Sequence, residues 1–189
     1  MSALLAPETW PEHLARVAER LRLVTVEVRA PDGGGAGVLW APDLVVTNAH
    51  VARASRLTVE LADDSRVAAD VIAADARADL ALLRVPRSGV APAILADSDG
   101  VRVGALVVAL GHPLGLGRTL TAGVVHSLGA DRSGGRRWIR ADLRLAPGNS
   151  GGPLADSTGR VVGINTMIAG GLALAIPINE VRRFASDAA

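Results

Sequence analysis

Pro147-Gly148-Asn149-Ser150-Gly151-Gly152-Pro153 sets one serine hydroxyl among three glycines, with a proline at each end. Glycine permits positive φ and lets a second backbone come close, so this composition predicts a rigid turn. Successive amide N–H groups around such a turn converge into a nest for an anion. A nucleophilic serine whose neighbouring amides face a developing oxyanion needs that arrangement. A surface turn that happens to carry serine accounts for the same residues equally well. The two readings separate on whether the chain supplies a base and a carboxylate.

The base comes from four histidines: His13, His50, His112 and His126. His50 lies in Val45-Val46-Thr47-Asn48-Ala49-His50-Val51, where an apolar run breaks into small polar residues, so its imidazole is presented from a strand end. His13 falls on the polar side of a predicted helix and is expected in solvent. His112 and His126 flank a Gly/Pro loop and a strand, and read as structural; a structural role is also the commoner one for a histidine such as His50. For the carboxylate, Asp79 abuts the apolar run Leu80-Ala81-Leu82-Leu83 and is placed to be partly desolvated. Asp75, among small residues four positions earlier, is expected to be exposed in a turn.

Short β-rich runs must position these residues. Leu23–Arg29, Ala36–Trp40, Leu44–Thr47, Leu57–Leu61, Arg66–Ala73 and Leu80–Val85 read as strands, broken at Pro31–Gly35, Pro42-Asp43 and Ala62–Asp64. A connector, Pro86 to Gly100, precedes a second set: Leu106–Leu110, Leu120–Leu128, Trp138–Ala141, Leu154–Ala155, Val161–Asn165 and Leu172–Ile176. The expected class is all-β, two six-stranded antiparallel barrels packed together, with short N- and C-terminal helices. The lobes are expected at about 23–95 and 101–178 of a single domain spanning residues 1–189. Thr9-Trp10-Pro11-Glu12 matches a capping box, and Leu14, Val17, Ala18 and Leu21 follow at helical spacing, so Pro11–Arg22 reads as an amphipathic helix. Asn179 to Ala185 reads as a final short helix.

Composition narrows the function classes. The 189 residues are 49% apolar but only 2% aromatic, and the net charge is +1 with both signs interspersed. No basic run or aromatic platform suggests nucleic-acid binding. With no cysteine, disulfides and thiolate chemistry are excluded. The segment Met1–Thr9 has no basic residue or apolar core of signal-peptide type, and no apolar stretch is long enough to span a membrane, so a cytoplasmic protein is expected unless the chain is trimmed.

The order His50, Asp79, Ser150 is that of the chymotrypsin arrangement, in which two barrels contribute to one cleft. The sequence resembles the protease domain of the HtrA/Deg family of trypsin-like serine proteases. The matching motifs are Thr47-Asn48-Ala49-His50-Val51, Asp79-Leu80-Ala81-Leu82-Leu83, Gly148-Asn149-Ser150-Gly151-Gly152-Pro153 and Gly163-Ile164-Asn165-Thr166, within a similarity from about Gly35 to Asn179. The resemblance implies Ser150 as nucleophile, His50 as general base and then acid, and Asp79 as the group orienting the imidazole. It implies an oxyanion hole at Gly148, Asn149 and Ser150, and substrate contacts at Arg144, Leu145, Thr166, Met167 and Ile168. No metal or organic cofactor is implied. The expected partners are unfolded or damaged polypeptides, with a homotrimer through Trp10 and the first helix and no following peptide-binding domain.

The sequence departs from the family pattern at Asp142-Leu143-Arg144-Leu145-Ala146, where relatives carry two small residues after the aspartate, and at His112, where they carry asparagine. Leu145, Met167 and Ile168 predict an apolar specificity pocket, with Arg144 directed outward because burial of an unpaired guanidinium is costly. Short loops at Pro31–Gly35 and Ile168–Leu172 predict reduced loop-based regulation. The alternatives are a latent fold of this kind acting as a peptide-binding or chaperone-like module, and a non-proteolytic esterase.

Overall fold

A computed structural model describes residues 9–31, 33–54, 56–112, 119–130 and 135–188. The first six strands are β1 (Thr25–Ala30), β2 (Gly33–Ala41), β3 (Leu44–Thr47), β4 (Leu57–Glu60), β5 (Arg66–Asp75) and β6 (Leu80–Arg84). They close as a barrel in the order β1-β2-β3-β6-β5-β4, every adjacent pair antiparallel. The second six are β7 (Leu106–Gly111), β8 (Thr119–Ala130), β9 (Arg137–Asp142), β10 (Pro153–Asp156), β11 (Val161–Ala169) and β12 (Leu172–Pro177). Their order, β10-β11-β12-β9-β8-β7, makes a second closed antiparallel barrel. The expected all-β class with two six-stranded barrels is the observed one.

The strand faces explain the sequence pattern. In β3 and β6, Val45, Ala81 and Leu83 fill the first barrel, while Val46, Leu80 and Leu82 point the other way into a separate cluster. That second cluster also takes Val108, Leu110, Ala155, Ile164 and Ile176 from the second barrel, so it is the seam between the barrels. Strand β6 is therefore buried on both faces, which is why it reads as an unbroken apolar run rather than alternating. Ala109, Val125, Ile139 and Leu154 fill the interior of the second barrel.

Helix α1 (Trp10–Val24) seats Val17 and Leu21 on the seam. Its start is capped as expected: the Glu12 carboxylate accepts from the Thr9 amide at 2.9 Å and hydroxyl at 2.8 Å, and these bonds hold its pKa below the ordinary value. His13 is not in solvent as expected. It is half-buried, Nε2 donates to the Ser157 carbonyl and the ring stacks on Trp10, because α1 lies against the β10–β11 hairpin. Helix α2 (Ile178–Asp187) buries Ile178 and Val181 in the same seam.

The connector braces both barrels. The Ala93 amide donates to Leu39 O in the first, and the Ala96 amide to Val161 O in the second, each at 2.9 Å. The expected break at Pro31–Gly35 is shorter than its composition suggests, since Gly33, Gly34 and Gly35 belong to β2 and only Pro31 and Asp32 separate the strands, Asp32 lying outside the described residues. Gly35 is required by close approach rather than by a turn: a Cβ there would sit 2.6 Å from Ser150 O. Strand β11 runs four residues beyond the expected Asn165, to Ala169, pairing its exposed end with β12 across a Gly170-Gly171 turn.

Candidate active site

The end of β3 delivers a turn in which Asn48 O accepts from the Val51 and Ala52 amides, fixing His50 at its crest. Asn48 itself is fully buried, and its side-chain amide donates to Asp79 O at 2.9 Å. On the other side of that bond, the Asp75 carboxylate accepts from the Arg77 and Ala78 amides and shapes the β5–β6 turn, exposed as expected. The turn ends on Asp79 at φ 52, a left-handed conformation that aspartate tolerates better than most side chains. Asp79 is thus presented from the start of β6 toward His50.

The Asp79 carboxylate collects three donors. His50 Nδ1 lies 3.0 Å from Oδ1 and 2.9 Å from Oδ2, the His50 amide donates to Oδ1 at 3.1 Å, and Thr166 Oγ1 donates to Oδ2 at 2.5 Å. An ionised carboxylate only accepts, so Nδ1 carries a proton, and in the neutral imidazole the lone pair is on Nε2. Burial works against ionisation of Asp79, but the bonds from His50 and Thr166 outweigh it and hold the carboxyl below its ordinary pKa. Thr166 reaches this point because of a β-bulge. Asn165 pairs with Ala175 and Met167 with Leu174, so Thr166 has no partner on β12 and its side chain turns inward.

The Ser150 turn is held by main-chain bonds. Asn149 N donates to Ala146 O at 3.0 Å, Gly152 N to Asn149 O at 3.1 Å, and Gly151 N to Asn165 O at 2.8 Å. The first barrel reaches across to it: Ala36 N of β2 donates to Ser150 O at 2.7 Å. Gly151, at φ 86, packs where a Cβ would collide with Ala36 O and Thr47 Oγ1, so no other residue fits without displacing the first barrel. The Asn149 side-chain amide also donates to Ala146 O, so its main-chain N–H and one side-chain N–H both hold the turn. Among the described residues, the Gly148 and Ser150 amides donate to no acceptor, and Gly148 O is anchored by the His112 amide at 3.1 Å.

The structure brings His50, Asp79, Thr166 and the Ser150 turn together from both barrels. It does not form a His50–Ser150 hydrogen bond. The Ser150 hydroxyl donates to Thr166 O at 2.9 Å, because the same bulge that turns the Thr166 side chain to Asp79 offers its carbonyl to the serine. Leu145, Met167 and Ile168 line a cavity of about 270 Å³ with Ala146, Pro147, Asn149, Ser150 and Thr166. Arg144 is exposed and outside that lining, as its charge requires. His112 is buried beside Gly148, and residues 113–118 of its loop lie outside the described residues; His126 is exposed on β8. A larger cavity, about 440 Å³, includes Asp97, Arg102, Asp156 and Arg160 in its lining but no pairing of nucleophile with base. Among the described residues, no cluster of acidic and histidine side chains could hold a metal ion.

Sequence reasoning missed the supporting roles of Thr47 and Asn48. Thr47 Oγ1 donates to Ala36 O at 2.7 Å, bracing the strand that grips the Ser150 turn. The signal was present as two polar residues closing an apolar strand, since polar side chains that are fully buried must be hydrogen-bonded.

Comparison with known proteins agrees with this fold. The family described as "Trypsin-like peptidase domain" matches residues 35–164. Serine protease HTRA1 of Xenopus laevis is 39% identical over 169 residues, covering 83% of this chain and 36% of the relative. Periplasmic serine endoprotease DegP of Salmonella typhimurium is 41% identical over 168 residues, covering 82% and 35%. The chain spans about a third of the length of these relatives. Among solved structures, the HtrA-type protease AlgW with a tripeptide superposes with a TM-score of 0.86 at 30% identity, covering 91% of this chain and 62% of that one. The chain therefore belongs to the trypsin-like peptidase family, as a protease domain of HtrA/Deg type.

Proposed function

We propose that the chain is a serine endopeptidase that hydrolyses peptide bonds through an acyl-enzyme, with Ser150, His50 and Asp79 as its catalytic residues. The observation that carries this reading is the Asp79–His50 pair of the first barrel, linked through Thr166 to a serine turn that Ala36 clamps to that barrel. Rotation of Ser150 about χ1 takes its hydroxyl from Thr166 O to His50 Nε2. The oxygen then attacks the scissile carbonyl while its proton passes to Nε2, and Asp79 stabilises the imidazolium. The oxyanion accepts from the Gly148 and Ser150 amides, with Asn149 as the strut between them; one such donor is worth roughly 3–4 kcal/mol in the transition state. Collapse breaks the C–N bond, and Nε2 gives its proton to the leaving amine. Water repeats the sequence on the ester.

The cavity at Leu145, Met167 and Ile168 takes an apolar side chain before the scissile bond, Val, Leu, Ala or Met. Its apolar walls and the outward Arg144 support this class over an acidic one. The bound tripeptide of the AlgW structure is consistent with polypeptide substrates, which we place among unfolded or damaged proteins. Trp10, 52% exposed at the start of α1, is the proposed contact of a homotrimer, checked by sedimentation of Trp10→Ala. The activity test is digestion of casein and of Leu-containing peptides. Cleavage lost in Ser150→Ala supports the reading, and an intact wild-type protein that cuts neither defeats it.

A further inference from the structure

A second cavity, about 340 Å³, lies against His50 and is walled by Ala30, Gly33 and Gly34 on one side and His50, Val51, Arg53 and Ala54 on the other. On the endopeptidase reading, on which this inference rests, the departing amine takes its proton from His50. The residues that follow the scissile bond therefore occupy the imidazole side of Ser150. The wall is low at Gly33, where a Cβ would meet nothing within 4 Å, so an extended chain can lie along it there.

The charges around this cavity are unequal. Across the Gly33–Gly34 wall, Arg29 bonds Glu27 at 2.9 Å and Glu60 at 3.3 Å, and Glu60 bonds Arg66 at 2.8 Å. Those two arginines and two glutamates offset one another. Arg53, exposed, has no carboxylate partner among the described residues. The wall that meets the leaving side of the substrate thus carries, among the described residues, one exposed arginine with no carboxylate partner.

We infer that this cavity binds the leaving side of the substrate and that Arg53 selects for Asp or Glu within the first two residues after the scissile bond. Quenched fluorescent peptides with Leu before the bond, and Glu, Gln or Lys at the first or second position after it, test this through kcat/KM. An exposed ion pair predicts a Glu-over-Gln preference of about two- to five-fold in low salt. The preference shrinks toward unity at about 0.5 M salt. It disappears in Arg53→Gln and turns toward Lys in Arg53→Glu. Equal cleavage of the Glu and Gln peptides by the wild type, or a preference that survives Arg53→Gln, overturns the inference and leaves the endopeptidase reading standing. If no peptide is cut and a fluorophosphonate leaves Ser150 unlabelled, both fall.

Discussion

The two barrels contribute to one cleft by different physical means. The first holds His50 and Asp79 through side-chain hydrogen bonds to an ionised carboxylate, which are among the stronger bonds a protein makes. The second holds Ser150 through main-chain bonds and glycines, with no charge in the turn itself. One half sets protonation and the other sets shape. Thr166 belongs to both, its hydroxyl on Asp79 and its carbonyl on Ser150. Substitutions in the first half should therefore appear mainly in pH profiles and kcat, and those in the second mainly in stability and fit.

The largest separation is expected from Asp79→Asn, which lowers kcat by about 10⁴-fold by favouring the wrong imidazole tautomer, measured on a peptide substrate. The same carboxyl has a folded pKa below its unfolded value. Its contribution to stability is thus present above about pH 4 and lost as pH falls through the depressed folded pKa. Thermal melts of Asp79→Asn should accordingly show a flatter acid limb than wild type. On the other side of the comparison, Gly151→Ala forces a Cβ into Ala36 and Thr47 at positive φ, and should cost about 2–3 kcal/mol in denaturant unfolding. Thr166→Val removes one donor from the carboxylate and should lower kcat by about ten-fold. Because that donor lowers the Asp79 pKa, its loss raises the folded value toward the unfolded one and should flatten the acid limb of the stability profile in thermal melts. Arg144→Ala, outside both halves, should change kcat/KM by less than about two-fold and stability by within about 0.5 kcal/mol.

Much of this was legible in the residues because burial writes itself into period. Strands β1, β3, β4 and β6 begin or end close to where their apolar runs do, and the double burial of β6 shows as Leu80-Ala81-Leu82-Leu83. His50, Asp79 and Ser150 were separable from other histidines, aspartates and serines by their order and by the polar or glycine residues beside them. What was not legible depends on contacts between distant parts of the chain. Gly34 and Gly35 look like a turn, yet Gly35 is glycine because the Ser150 carbonyl lies against it. His13 looks solvated until α1 is laid on the β10–β11 hairpin. The Thr166 bulge leaves no periodic trace, so neither its grip on Asp79 nor its capture of the Ser150 hydroxyl could be read in advance.

The central claim is that the Asp79–His50 pair of the first barrel activates a serine carried by the second. Fluorophosphonate labelling followed by mapping of the modified peptide by mass spectrometry tests it most directly, in the wild type and in His50→Ala. The account predicts a single adduct on Ser150 in the wild type, forming at least about 10³-fold more slowly in His50→Ala with the fold intact. An adduct on another residue, or equal labelling rates in the two proteins, would contradict it.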